Sequence, residues 1–165
     1  MGMVGCFAAV SPETLQRLRA DPGSIDEYLH PNDGEDEPPN YAEIDKAWHG
    51  IHYLLTGQSQ GGAAPLALTV FGGEEFGPEI GYGSARFLTP AQVSDVSKAL
   101  ALLSSDTLRH RFDPKDMEGK DIYPEVIWVR EGNEAFDYLM ENFEQLTVLY
   151  RDAAARGDGM LQWLS

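Results

Sequence analysis

The chain has 165 residues, with 12 Lys plus Arg against 27 Asp plus Glu and a formal charge of −15 at pH 7. Its 42% hydrophobic and 24% charged residues are a globular composition, long enough to bury a core without metal or disulfide support. Collagen-like, low-complexity and disulfide-scaffold classes are excluded, and the acidic excess argues against a general basic surface for nucleic acid or anionic membrane.

Met1–Val10 is apolar but lacks the basic start and cleavage site of a secretory leader. A myristoylation reading of the Met-Gly start fails because position 6 is Cys, not Ser or Thr. No run is long enough to span a membrane. Within the stretch, Met3–Val10 predicts a strand buried on both faces. Ser11, Pro12 and Glu13 form a helix start, Leu15 and Leu18 its apolar stripe, and Asp21-Pro22-Gly23 its stop. Ser24 is expected to cap a short helix carrying Ile25, Tyr28 and Leu29.

Residues 31–40 (PNDGEDEPPN) read as an acidic, solvated and mobile loop. Asp45–Leu55 then predicts a helix with Trp48, Ile51, His52 and Leu55 on one face, and Gly57 just past its end. A loop over Gly57–Pro65 leads to an apolar segment, Pro65–Phe71, open to helix or strand. The glycine-rich interval Gly72–Gly83 leads into a strand at Ser84–Leu88.

Thr89, Pro90 and Gln92 make a capping box, and Val93, Val96, Leu100 and Leu103 recur at helical spacing behind it. A short helix is expected around Asp106–Phe112. Tyr123-Pro124 breaks the chain before Val126–Val129, which reads as a strand from its branched and aromatic residues. Asn133–Arg156 predicts a long helix striped by Phe136, Leu139, Met140, Phe143, Leu146, Thr147 and Tyr150, ended by Gly157. Met160–Leu164 is a closing strand or a docked tail. No internal repeat or linker appears, and strands do not alternate regularly with helices. The expected architecture is therefore a single α+β domain over residues 1–165, with several helices packed on a small sheet of short strands.

Chemistry concentrates in Asp45–Tyr53. On a helix, Asp45, His49 and His52 share a face, a set that Zn or Fe would accept or that would serve as an acid/base pair. The spacing matches no established zinc motif, so no metal or other cofactor is expected; packing of His52 beside Trp48 and capping by Asp45 is the expectation. Gly81–Arg86 lacks the Gly-Lys-Ser/Thr of a phosphate loop, so its glycines read as turns, and Arg86 as the partner of a carboxylate or a bound anion. Gly57-Gln58-Ser59-Gln60-Gly61 fits a hydrolase nucleophile frame, yet a helix enters where a strand is required. The acidic loop lacks EF-hand ligand spacing. Cys6, the only cysteine, sits in an apolar run and reads as inert. Lys98, Arg109, Arg111, Lys115 and Lys120 are interleaved with acids and form no patch.

The opening MGMVGCFAAV, the DKAWHGIHYLLTG segment (Asp45–Gly57), GSARFLTPAQV (Gly83–Val93) and DIYPEVIW (Asp121–Trp128) together resemble the YfbM-like family, bacterial proteins built on a domain of unknown function. The resemblance implies a single mixed α and β domain and no established reaction. It gathers Asp45, Lys46, Trp48, His52, Thr56, Gly57, Arg86, Tyr123 and Pro124 into one constellation, to which His49 does not belong. The leading expectation is a soluble, cytoplasmic, acidic binding or interaction protein, one concrete form of which neutralises a basic protein partner. The alternative is a small enzyme acting on an anionic small molecule, its pocket built from Asp45, Lys46, Trp48, His52, Arg86 and Tyr123.

Overall fold

The computed structural model describes residues 2–165; Met1, the first residue of the apolar opening stretch, lies outside them. Strand β1 (Gly5–Val10) is buried at every position, as its unbroken apolar run demands. Helix α1 (Pro12–Ala20) starts where Ser11 Oγ accepts from the Thr14 amide, and it buries Leu15 and Leu18. A 3₁₀ turn (Pro22–Ser24) runs into α2 (Ile25–Leu29). Ser24 holds the expected position but not the expected bond, because its hydroxyl donates back to the Asp21 carbonyl at 2.7 Å. The acidic segment contains one turn, α3 (Pro31–Gly34), with Asn32 and Asp33 at positive φ. A three-residue strand β2 (Tyr41–Glu43) follows it.

A 3₁₀ turn (Asp45–Ala47) leads into α4 (Trp48–Thr56), which ends at Gly57 with φ 73°. That left-handed turn is the reason for glycine there. The Pro65–Phe71 segment resolves as helical: α5 covers Leu68–Phe71. The Gly72–Gly83 interval holds a strand the sequence did not announce, β3 (Glu74–Glu79), paired with β4 (Ser84–Leu88). Helix α6 (Pro90–Ala101) has both bonds of its capping box. Helices α7 (Ser105–Arg111) and α8 (Pro114–Gly119) come next.

Val126–Val129 is not a strand. Ile127–Glu131 forms a helical turn, α9, that drives Trp128 into the core and leaves Val126 and Val129 exposed. The indole N–H of Trp128 donates to the Ile122 carbonyl at 2.7 Å, so one aromatic anchor decided the conformation against β propensity. The long helix α10 spans Asn133–Arg156, and Gly157 at φ 75° ends it. Gly159–Leu164 is a true strand, β5.

The five strands form one antiparallel sheet in the order β2-β1-β5-β4-β3, so the last strand in sequence is the middle one in space. Helices cover both faces. One face, carrying Phe7, Ala9, Leu88 and Met160, packs on α4–α10 in the larger core. The other, carrying Cys6, Ala8, Val10, Phe87 and Leu161, packs on α1 and α2. In α4, Gly50 permits close approach, since a Cβ there would lie 2.7 Å from atoms of both Leu139 and Trp128. The architecture is the expected α+β arrangement of helices on a small sheet of short strands.

Candidate functional site

The Trp48 turn of α4 faces the sheet through an aromatic stack. The Trp48 ring lies parallel to His49 (centroids 5.1 Å apart) and to Tyr123 (5.3 Å), with Phe71 edge-on at 5.2 Å. Its indole N–H donates to the Met3 carbonyl at 2.9 Å, and the Tyr123 hydroxyl accepts from the Met3 amide.

Both imidazoles are committed. His49 Nδ1 accepts from the Tyr123 amide at 2.8 Å, so Nε2 carries the proton and donates to the Ser59 carbonyl at 2.9 Å. Backbone groups thus hold the ring neutral in one tautomer, and burial lowers its pKa. His52 is wholly buried and packs edge-on against Phe71 at 4.9 Å. Neither of its ring nitrogens has a hydrogen-bond partner. Burial first, then the neighbouring His49, brings its pKa from 6.5 down to about 4; the nearby Gly61 backbone opposes this only weakly.

Asp45 turns away from the histidines. Its carboxylate accepts from the Tyr138 hydroxyl at 2.6 Å, and that oxygen accepts from the Lys46 amide at 3.0 Å. Asp45, His49 and His52 therefore do not assemble as ligands, and no group of three or more His, Cys, Asp or Glu able to hold a metal occurs among the described residues. The Lys46 side chain runs beside Gly2 and the Tyr123 hydroxyl.

Of the predicted pocket residues, the structure brings Trp48 and Arg86 to one cleft. Its first lobe, about 440 Å³, is lined by Trp48, His49, Gln60, Gly61, Phe71, Arg86 and Leu164. A second lobe of about 210 Å³ shares Phe71, Arg86 and Leu164 and adds Glu75, Tyr82, Ser84 and Gln162 among others. Arg86 stands in register with Gln162 on β5 and Glu75 on β3, so the three share one face of the sheet. Its guanidinium meets Glu75 Oε1 at 2.7 Å. Tyr123 reaches the cleft only through its stack on Trp48, while His52, Asp45 and Lys46 do not line it. Gln162 escaped sequence reasoning because its place beside Arg86 follows from strand order alone.

A second concavity lies between β2, at the sheet edge, and α10. Tyr41, Ala42, Glu141, Glu144, Gln145, Val148, Leu149 and Asp152 line a groove of about 640 Å³. Val148 is exposed there, and no ion pair engages Glu141 or Glu144 among the described residues. No Lys or Arg occurs between Asn133 and Tyr150. Three of the scattered cations are used internally: Arg111 donates to the Leu54 carbonyl, Arg109 lies over Phe136, and Lys120 pairs with Asp116. Cys6 is buried, its pKa raised by that burial, with Tyr41 Oη 3.5 Å from its sulfur.

The buried His52 carries a pH prediction. A histidine with folded pKa near 4 and ordinary pKa 6.5 leaves the unfolded chain binding more protons between those values. Stability from this group is complete above about pH 7, falls as pH drops through 6.5 toward 4, and changes no further below. The loss amounts to about 3 kcal/mol, with His49 adding in the same direction. Urea unfolding from pH 7 to 4 is expected to show this decline in the natural protein and a clearly shallower one in His52→Leu; parallel curves would refute it.

A family model described as "Domain of unknown function (DUF1877)" matches residues 1–163. Protein YfbM of Escherichia coli (strain K12) is 30% identical over 167 residues, covering 98% of this chain and 97% of its own length. The crystal structure of YfbM from Escherichia coli, a protein of unknown function, superposes with a TM-score of 0.77 at 25% identity, covering 98% of this chain and 99% of that one.

Proposed function

Since the chain belongs to the DUF1877 family, whose description assigns no reaction, we propose that it acts by binding: a basic protein partner docks in the groove between β2 and α10. The observation that carries this reading is the lining itself. An apolar patch of Val148 and Leu149 is rimmed by Glu141, Glu144 and Asp152, without a cation among the lining residues. Such a surface complements an amphipathic basic segment, steers it through the −15 field and holds it by apolar contact. Strand β2, at the edge of the sheet, adds free backbone groups to the same wall. No helix among the described residues is long and apolar enough to cross a membrane. We place the protein in the cytoplasm.

The enzymatic alternative has less support. Its one histidine, His52, the group able to act as a general acid/base, is sealed from the cleft, and His49 has both nitrogens bound to backbone. The test is affinity capture from the native host at low salt, with the natural protein and the Glu141→Gln/Glu144→Gln variant. A basic polypeptide retained by the first, released by salt and lost from the second is the expected result. Retention of nothing basic, or equal retention by both, overturns the reading.

A further inference from the structure

The cleft across Arg86 has features that the partner surface does not use. Among the described residues, Arg86 is the only Lys or Arg lining either lobe. A guanidinium has five N–H donors, and this one spends one on Glu75 Oε1 and one, at 3.4 Å, on the Gly73 carbonyl. Donors thus remain free at the junction of the lobes. Directly across the strand pair stands Gln162, only 2% exposed. Its Nε2 donates toward the Leu68 and Thr69 carbonyls and the Tyr150 hydroxyl, at 2.8 to 2.9 Å. The Tyr150 proton is already given to the Thr69 carbonyl at 2.6 Å. These acceptors fix the amide with its nitrogen toward them, and Gln162 Oε1 is left without a partner. A buried acceptor so left asks for a donor that the protein itself does not supply.

We propose that this cleft binds a planar aromatic monocarboxylate with an N–H or O–H donor next to the carboxylate. The carboxylate accepts from Arg86, whose fork matches its geometry. The adjacent donor serves Gln162 Oε1, which directly opposite strand positions bring within reach of one small ligand. The ring lies in the lobe lined by Trp48 and Phe71. One cation, partly offset by Glu75 inside a strongly acidic protein, suits a single negative charge and disfavours a dianion such as phosphate.

Titration of ¹⁵N-labelled protein with indole-2-carboxylate tests this, reading the Trp48 indole N–H and Arg86 Nε–H resonances. Indole-2-carboxylate is expected to give saturable shifts at both. Indole-2-carboxamide, which lacks the charge, and benzofuran-2-carboxylate, which lacks the N–H, are each expected to bind about tenfold more weakly or not at all. Inorganic phosphate is expected to leave both resonances unmoved. Arg86→Gln is expected to lose the shifts with its remaining spectrum preserved, and Arg86→Lys, which keeps the charge without the fork, to fall between. No saturable shift, binding unchanged in Arg86→Gln, or preference for phosphate overturns the site. Equal binding of the benzofuran and indole acids overturns the part given to Gln162. Changing the ligand, not the buried glutamine, keeps that comparison free of folding effects.

Discussion

Ending the chain at Asp158 is expected to abolish cooperative folding. Among the described residues β5 alone joins β1 to β4, so its removal splits the sheet into two separate ribbons, β2–β1 and β4–β3. A two-stranded ribbon is marginal in water even when intact. The loss also strips both faces of the sheet, because Met160 belongs to the larger core and Leu161 to the smaller. Together these exceed the about 5–15 kcal/mol that keeps a domain folded. Near-ultraviolet circular dichroism and urea unfolding check it: a lost aromatic signal and a featureless transition are expected. A sigmoidal transition in the shortened chain would show that the sheet stands without its middle strand.

Replacing Trp128 by alanine is expected to destabilise the protein by about 3–5 kcal/mol. This side chain is fully buried, contacts the α4–α10 crossing at Gly50 and holds the Ile122 carbonyl. Trp128→Phe keeps much of the ring and removes only the indole bond, since the Ile122 carbonyl still accepts from the Glu125 amide at 2.8 Å, for about 0.5–1.5 kcal/mol. Urea midpoints of the two variants separate the contributions. A loss below about 1 kcal/mol in the alanine variant would refute the account of α9 as an anchor.

What the sequence disclosed and what it withheld follow one physical line. Helices α6 and α10 were legible because capping residues and a sustained apolar stripe are local signals that the fold only has to accept. Strand β1 was legible for the same reason, as an unbroken apolar run. The short Val126–Val129 run carried no period long enough to separate helix from strand, and the choice was made by a hydrogen bond from Trp128 to Ile122. Strand β3 went unread because its residues, EEFGPE, are polar and mostly exposed; it is a strand by virtue of pairing with β4. Strand β2 is too short to show a pattern at all.

The site divides likewise. The family resemblance put Trp48 and Arg86 in one constellation, and both residues line the first lobe of the cleft. The shared helix face expected of Asp45, His49 and His52 fails at Asp45, which sits in the 3₁₀ turn before α4 at φ 46° and faces Tyr138. The backbone of Ser59 and Tyr123 and the hydroxyl of Tyr138 claim two of the three groups, and burial claims the third. None of these partners lies near in sequence, so spacing along α4 does not reveal them.

The pairing of β1 with β5 also constrains how the molecule reaches its shape. These partners sit at opposite ends of the sequence, so joining them closes a loop made of nearly the whole chain, at a large entropic cost. The β3–β4 hairpin and the α6 and α10 helices involve far shorter closures. High contact order of this kind slows folding, and in any chain whose β5 is unpaired the facing edges of β1 and β4 stand open to pairing with another molecule.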